Sequence, residues 1–266
     1  MKSNNPAEII KPYRLKIGDT IGVIAPADPV RDVCPDETIE RGYAYLRKKG
    51  FEVLEGESVK KSTSYHTAGS IEERVNDIHA FLRNDDVKCI IAFWGGFNSN
   101  QILDSLDYEL IRAQRKIFIG YSDVTALTTA ITTKTGLVTF SGPGVISFAK
   151  PQPFEYTWSF FDKICINPSD EIEVISSTEY ADDLYFLRED DDHRILKRND
   201  GIKVFKDGSA EGVIMAGNLQ TLLLLNDTDY FPSVKDKILF IEEDETSTPA
   251  HIDRFFCHNE ATRLVG

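Results

Sequence analysis

The sequence has few of the features that mark a secreted, membrane-spanning or zinc-binding chain. Its 266 residues include only four cysteines, widely spaced and without a CxxC pair, so neither a zinc knuckle nor a disulfide framework is predicted. The first ten residues contain no apolar stretch followed by a cleavage pattern. No apolar run approaches the roughly 20 residues that span a bilayer. We therefore expect a cytoplasmic chain with buried, reduced thiols and no membrane partner.

Basic residues are also scarce. The chain has 30 lysines and arginines against 43 aspartates and glutamates, a formal net charge of −13, which argues against nucleic acid as the main partner. No GxGxxG or GxxxxGK[ST] pattern occurs, which counts against a dinucleotide or P-loop site. The five histidines show no metal-ligand spacing, and none stands out as a general base. We expect neither a metal ion nor a cofactor.

The first 150 residues do contain a regular alternation of strand and helix signals. A capping box formed by Ser70 and Glu73 opens one helix, and Gly50 and Gly136 follow two others as stop signals. Short apolar runs typical of buried parallel strands occur at residues 19–25, 51–54, 89–94, 117–120 and 137–140. This order predicts an α/β fold with a parallel sheet between helical layers. Ligands in such folds bind beyond the carboxyl ends of the strands.

The pattern changes after the proline-rich residues 150–153. We predict an α/β domain over residues 1–150, a linker over 151–168 and a smaller domain over 169–266. In the last part, the sequence predicts a strand at 171–175, an exposed acidic loop at 182–192, a hairpin at 195–205 around an Asn-Asp-Gly turn, a helix at 219–225 and a strand at 237–241.

Ser122 is the first candidate for chemistry, because it lies between a predicted strand and a predicted helix. A serine on such a tight turn projects its hydroxyl above the sheet, as in a nucleophile elbow. The amide of Asp123 would then point toward a developing oxyanion. Val124 stands where the usual elbow has glycine, and a simple helix N-cap is the competing interpretation of Ser122.

Two further segments follow predicted strands. Gly95 and Gly96 would let backbone amides approach a ligand closely, although most such pairs are only turns. Residues 242–245 are four consecutive carboxylates, one of which could orient a catalytic histidine. A metal site or a solvated acidic loop are the other interpretations of this run.

Taken together, these segments resemble the LD-carboxypeptidase family of serine peptidases, in particular its microcin C immunity (MccF-like) branch. The resemblance covers nearly the whole chain, and the ordered set is more specific than any single motif. The matching segments are 16–26, 94–100, 120–127, 139–143, 210–212, 217–219, 239–242 and 252–254.

The resemblance implies a flavodoxin-like parallel-sheet domain followed by a smaller, incomplete β-rich C-terminal domain, and a Ser-Glu-His hydrolase. Ser122 would be the nucleophile. The amides of Asp123 and Gly96, with Gly95 as the alternative to Gly96, would form the oxyanion hole. Glu242 would orient the histidine in preference to its neighbour Glu243. The histidine itself is expected beyond Gly266, so this form could be inactive.

The family's substrates carry a free carboxylate beside the scissile bond, either in cell-wall tetrapeptides or in aminoacyl-nucleotides of the microcin C type. Asn98 and Asn218 are the expected substrate-binding residues, and Tyr185 stands where the immunity branch has a base-stacking tryptophan. The resemblance also implies a homodimer. Two alternatives remain: a binding protein for the same ligands that has lost catalysis, and a metal-dependent hydrolase that uses residues 242–245.

Overall fold

The computed structural model describes residues 8–62, 66–181, 194–244 and 247–261. Five parallel strands form the main sheet in the order β2-β1-β3-β4-β5, which confirms the predicted flavodoxin-like arrangement. The strands are β1 (Thr20–Ile24), β2 (Glu52–Glu55), β3 (Val87–Ala92), β4 (Ile117–Gly120) and β5 (Phe140–Ser141).

Helices connect these strands and begin and end at the predicted signals. The side chain of Ser70 accepts a hydrogen bond from the Glu73 amide, and the Glu73 carboxylate accepts one from the Ser70 amide, so the capping box is confirmed. Gly136 ends another helix in the left-handed conformation with φ +74°. The helices are α1 (Asp36–Lys48), α2 (Glu57–Lys60), α3 (Ile71–Arg83), α4 (Tyr108–Gln114) and α5 (Thr125–Thr135).

The sheet is buried on both faces, and β3 shows this most clearly. Its Cys89 and Ile91 belong to one hydrophobic cluster, whereas Ile90 and Ala92 belong to a second cluster on the other face. This alternation follows from the two-residue period of a strand. Residues in the predicted linker form α6 (Glu155–Phe161) and a following π-helical turn, and they pack against the first cluster. The strands of the main sheet are therefore held in place by hydrophobic packing on both faces.

The remaining described residues form a smaller unit. Strand β6 (Glu179–Tyr180) pairs antiparallel with β7 (Lys197–Arg198). The parallel strands β8 (Val213–Asn218) and β9 (Lys237–Glu242) form a second two-stranded sheet. Two helices, α7 (Leu219–Leu224) and α8 (Pro249–Ala261), accompany that sheet. None of the helices in the described residues is both long and apolar enough to cross a membrane.

Two sequence predictions in this unit are wrong. Residues 171–175 form no strand, because Val174 and Ile175 are exposed and no strand among the described residues pairs with them. The hairpin at 195–205 does not form either. Asn199, from its expected turn, instead binds the segment before β6, donating from its amide to Thr178 O and from its side chain to Ser177 O. Asn199 therefore pairs with residues 177–178, which are distant in the sequence, and not with the other half of the predicted hairpin. The predicted acidic loop at 182–192 lies outside the described residues.

Candidate active site

Ser122 lies at the carboxyl end of β4, where the chain turns sharply into α5. Its φ is +58°, the left-handed region that a residue with a side chain enters only at a cost, as in a nucleophile elbow. It starts a single 3₁₀ turn and makes no side-chain cap bond, so the N-cap interpretation is wrong. The turn is tight, because a Cβ on Gly120 would lie 2.6 Å from Val124 Cγ1. Ser122 is half-buried and remains accessible.

The two glycines after β3 lie directly beside this turn. A Cβ added to Gly95 would be 3.0 Å from Ser122 Cβ and 3.2 Å from the amide nitrogen of Asp123. Gly96 has φ +142°, and a Cβ there would lie 2.3 Å from Asp28 Oδ1. Only glycine fits these two positions without displacing the neighbours. The structure therefore brings the backbones of the two predicted oxyanion elements together.

The Asp123 side chain is buried and holds the neighbouring loop. Its Oδ2 accepts the amide of Ser99 at 2.8 Å. Burial raises the pKa of Asp123, while the hydrogen bonds from Ser99 act in the opposite direction. The carboxyl group therefore faces the protein interior. The predicted oxyanion-hole role of Asp123 belongs to its main-chain N–H.

Glu242 is the last residue of β9, and it reaches the same turn from the smaller unit. The Ser122 amide faces its carboxylate and favours the charged form. Burial raises the pKa of Glu242, the nearby Glu243 adds to the rise, and the Ser122 amide opposes it. Among the described residues, the buried Oε1 of Glu242 has no hydrogen-bond partner.

Glu243 has both oxygens occupied. Its Oε1 accepts the amide of Gln220 at 2.8 Å, and its Oε2 accepts the hydroxyl of Ser247 at 2.8 Å. Asn218 is buried, and its Oδ1 accepts the amide of Thr221, which caps α7. The Asn218 Nδ2 lies 3.5 Å from both Glu242 O and Glu243 Oε2. Asn218 thus contacts the acidic end of β9, and its predicted contact with substrate remains a prediction.

The other predicted residues are placed as follows. Asn98 is half-buried just before the short 3₁₀ helix that follows the twin glycines, and its substrate role remains a prediction. Tyr185 and Glu245 lie outside the described residues. His79 accepts the Asp107 amide far from Ser122. Within the described part of the chain, no group of three or more His, Cys, Asp or Glu side chains is arranged to hold a metal ion.

Sequence reasoning missed Arg74, which is only 1% exposed and donates to main-chain carbonyls near the site. The available signal was its position on α3. Arg74 lies next to Val75 and four residues before Ile78, so a charge occupies the apolar face of the helix. Such a charge has to be satisfied by buried partners.

Comparison with known proteins identifies the family. Residues 21–142 match the model of the LD-carboxypeptidase N-terminal domain, and residues 211–265 match that of the LD-carboxypeptidase C-terminal domain. The chain belongs to the LD-carboxypeptidase family. Within this family, the Bacillus subtilis protein YocD is 41% identical over 91% of this chain and 73% of its own length. The Microcin C7 self-immunity protein MccF of Escherichia coli is 36% identical over 94% of this chain and 73% of its own length.

Solved structures of LD-carboxypeptidase relatives agree with this assignment. An MccF-like protein from Bacillus anthracis has a TM-score of 0.88 and 39% identity, covering 95% of this chain and 76% of that one. MccF in complex with glutamyl sulfamoyl guanosine has a TM-score of 0.86 and 31% identity, covering 97% and 76%. Muramoyltetrapeptide carboxypeptidase from Oxalobacter formigenes has a TM-score of 0.69 and 26% identity, covering 92% and 72%. The MccF-like branch is therefore supported.

Proposed function

We propose that this chain is a serine hydrolase that cleaves a peptide or amide bond next to a free carboxylate. Ser122 is the nucleophile and Glu242 orients a histidine base. The amides of Asp123 and Gly96, with Gly95 as the alternative to Gly96, stabilise the oxyanion. The family supports a carboxypeptidase-type activity, and the roles of these residues are our proposal.

One observation carries this proposal: a serine in the left-handed conformation lies beside a carboxylate that keeps one oxygen unused. Ser122 has φ +58° and its amide lowers the pKa of Glu242, whose buried Oε1 has no partner among the described residues. A buried acceptor left without a donor is costly, so a donor is expected there. The Nδ1–H of a catalytic histidine is the donor that a triad requires. Glu243 is less suited, because both of its oxygens are occupied.

The chemistry follows from these positions. Ser122 Oγ attacks the scissile carbonyl carbon and passes its proton to the histidine, and the negative charge moves onto the carbonyl oxygen. Amides preorganised beside that oxygen, at Asp123 and the twin glycines, stabilise it. The carbon–nitrogen bond then breaks as the histidine protonates the leaving nitrogen. Water adds to the acyl-serine by the same route and releases the acid and free Ser122.

Two substrate classes follow from the relatives. MccF has been solved with glutamyl sulfamoyl guanosine and with aspartyl sulfamoyl adenosine, whereas the Oxalobacter relative is a muramoyltetrapeptide carboxypeptidase. We favour the aminoacyl-nucleotide class for this chain, because identity and TM-score are both higher with the MccF structures. Base stacking by Tyr185 and a homodimer remain predictions.

The test is hydrolysis of glutamyl sulfamoyl adenosine and of an L–D tetrapeptide by the full-length protein and its Ser122→Ala variant. We expect release of glutamate from the nucleotide, reduced by at least about 1,000-fold in the variant. The thermal midpoint of Ser122→Ala, measured beside that of the parent, is the control for folding. Equal rates in the parent and in Ser122→Ala would overturn the proposal.

A binding protein without turnover is the second candidate, because His79 accepts the Asp107 amide and His251 pairs with Thr248, so neither of these two histidines is bonded to Ser122 or Glu242. Calorimetry distinguishes the two functions. Saturable binding of glutamyl sulfamoyl adenosine without product would support the binding protein. Binding followed by glutamate release would support the hydrolase.

A further inference from the structure

The peptide unit between Asn98 and Ser99 is held from both sides by charged side chains. Its carbonyl oxygen, on Asn98, accepts a hydrogen bond from Arg74 Nη1 at 3.1 Å. Its N–H, on Ser99, donates to Asp123 Oδ2 at 2.8 Å. The Ser99 hydroxyl also donates to the main-chain carbonyl of Asp123 at 2.6 Å. This peptide is therefore bound both to helix α3 and to the turn that bears Ser122.

Arg74 is well suited to hold the loop in place. It is 1% exposed, and it also donates to Pro26 O after β1 and to Gln101 Oε1, each at 2.8 Å. Burial lowers the pKa of Arg74, while the nearby Asp123 opposes that shift. The planar guanidinium donates in several fixed directions at once, which a lysine cannot do. One side chain thus joins the loops that follow two neighbouring strands.

The expected oxyanion hole has two halves, and they come from different loops. The Asp123 amide belongs to the turn after β4, and Gly95 and Gly96 belong to the loop after β3. The clamped peptide begins two residues after Gly96. It is also the point where the Asp123 carboxylate reaches across from one loop to the other. The distance between the two halves therefore depends on this clamp.

We propose that Arg74 and the carboxylate of Asp123 are positioning residues that set the geometry of the oxyanion hole. This inference rests on the proposed function, because it assigns a purpose to the amides of that site. Neither side chain is required to touch the substrate. A displacement of about 1 Å at such a site costs up to about 100-fold in rate. Loss of the clamp should therefore lower kcat more than it raises KM.

The test compares Arg74→Gln and Asp123→Ala with the conservative variants Arg74→Lys and Asp123→Asn. We expect kcat with glutamyl sulfamoyl adenosine to fall by about 10–100-fold in the first two, with KM changed by about twofold or less. The conservative variants should recover part of the rate. Arg115→Gln is the matched control. Arg115 lies just before β4, at the opposite end of the sheet, and donates two hydrogen bonds to Lys11 O.

Amide hydrogen exchange at Ser99 provides a readout that does not depend on turnover. It should become about tenfold faster in Arg74→Gln and Asp123→Ala and stay unchanged in Arg115→Gln. If the parent chain hydrolyses neither substrate, the proposed function is wrong. Amide exchange at Ser99 then tests by itself whether Arg74 and the Asp123 carboxylate hold this loop. Unchanged exchange at Ser99, or a loss of kcat in Arg115→Gln equal to that in Arg74→Gln, would overturn the inference.

Discussion

The two halves of the candidate site differ in how much packing supports them. The turn of Ser122 and the twin glycines stand on a five-stranded sheet whose Ile91 and Phe118 are 0% and 1% exposed. Glu242 stands on a two-stranded sheet whose Ile214 and Phe240 are 62% and 59% exposed. A two-stranded sheet alone is marginally stable in water. The proposed nucleophile is thus positioned by a hydrophobic core, and the proposed acid is not.

A few polar contacts locate the acid instead. The Asn218 amide donates to Thr125 Oγ1 at 2.9 Å, and Gly217 lies against the same threonine. The Glu242 carboxylate faces the Ser122 amide, which lowers its pKa. The five-stranded sheet therefore provides most of the stability, whereas the proposed acid depends on the less packed sheet of β8 and β9. Changes on β9 should affect catalysis with little effect on folding, and changes in the main sheet should do the reverse.

Glu242→Gln should give the largest effect on activity. The carboxamide keeps the shape of the side chain, but without a negative charge it cannot stabilise a histidinium. We expect kcat/KM for glutamyl sulfamoyl adenosine to fall by about 1,000–10,000-fold, measured by glutamate release. Glu243→Gln is the matched control, with little expected loss. A larger loss in Glu243→Gln than in Glu242→Gln would assign the acid to the neighbour.

The same variant has a signature in pH. Burial raises the pKa of Glu242 above its ordinary value of 4.5. A carboxyl whose folded pKa is raised contributes stability below its unfolded pKa, and that contribution is lost as pH rises through the folded pKa. Glu242→Gln should therefore be at least as stable as the parent at pH 7. A clear fall in its thermal midpoint would contradict this.

The second prediction compares one substitution in the two sheets. Phe118→Ala should lower the free energy of unfolding by about 3–5 kcal/mol, because it opens a cavity in a closed core. Phe240→Ala should change it by less than about 1 kcal/mol, because the ring is largely exposed. Urea denaturation of both variants measures the difference. Equal losses would mean that the apolar face of β8 and β9 is covered in solution.

The third and smallest effect concerns the contact between the halves. A Cβ on Gly217 would lie 2.3 Å from Thr125 Cγ2, so Gly217→Ala should cost about 1–3 kcal/mol of stability through overpacking. Thr125→Ser removes that methyl group and keeps the hydroxyl, so the double variant should recover part of the loss. Gly208→Ala is the control, since no atom lies within 4 Å of its added Cβ. Equal behaviour of Gly217→Ala and Gly208→Ala would refute this contact.

Local signals in the sequence were enough to predict much of the first domain. The capping box at Ser70 and the left-handed Gly136 depend only on residues a few positions away, and both are confirmed. The hairpin around residues 199–201 was wrong because a turn signal does not exclude a distant partner, and Asn199 binds the segment before β6. Pairing between distant segments depends on packing that a local pattern does not contain.

The site shows the same limit. Local sequence left an elbow and an N-cap open for Ser122, and only its backbone angle separates them. The juxtaposition of Gly95 with Ser122, and of Glu242 with the Ser122 amide, arises from the order of parallel strands and from the docking of β8 and β9. Arg74 was missed because a helical arginine is normally solvated, and its partners come from two segments far apart in the sequence, at Pro26 and at residues 98–101.

The left-handed backbone at Ser122 has a consequence for how such chains change over time. That conformation costs a residue with a side chain about 1–2 kcal/mol, which is maintained only while the hydroxyl is needed. In a lineage released from hydrolysis, glycine or asparagine at this position would relieve the cost without disturbing the sheet beneath it. Under the proposed function, the identity of this one residue distinguishes a relative that keeps the reaction from one that has lost it.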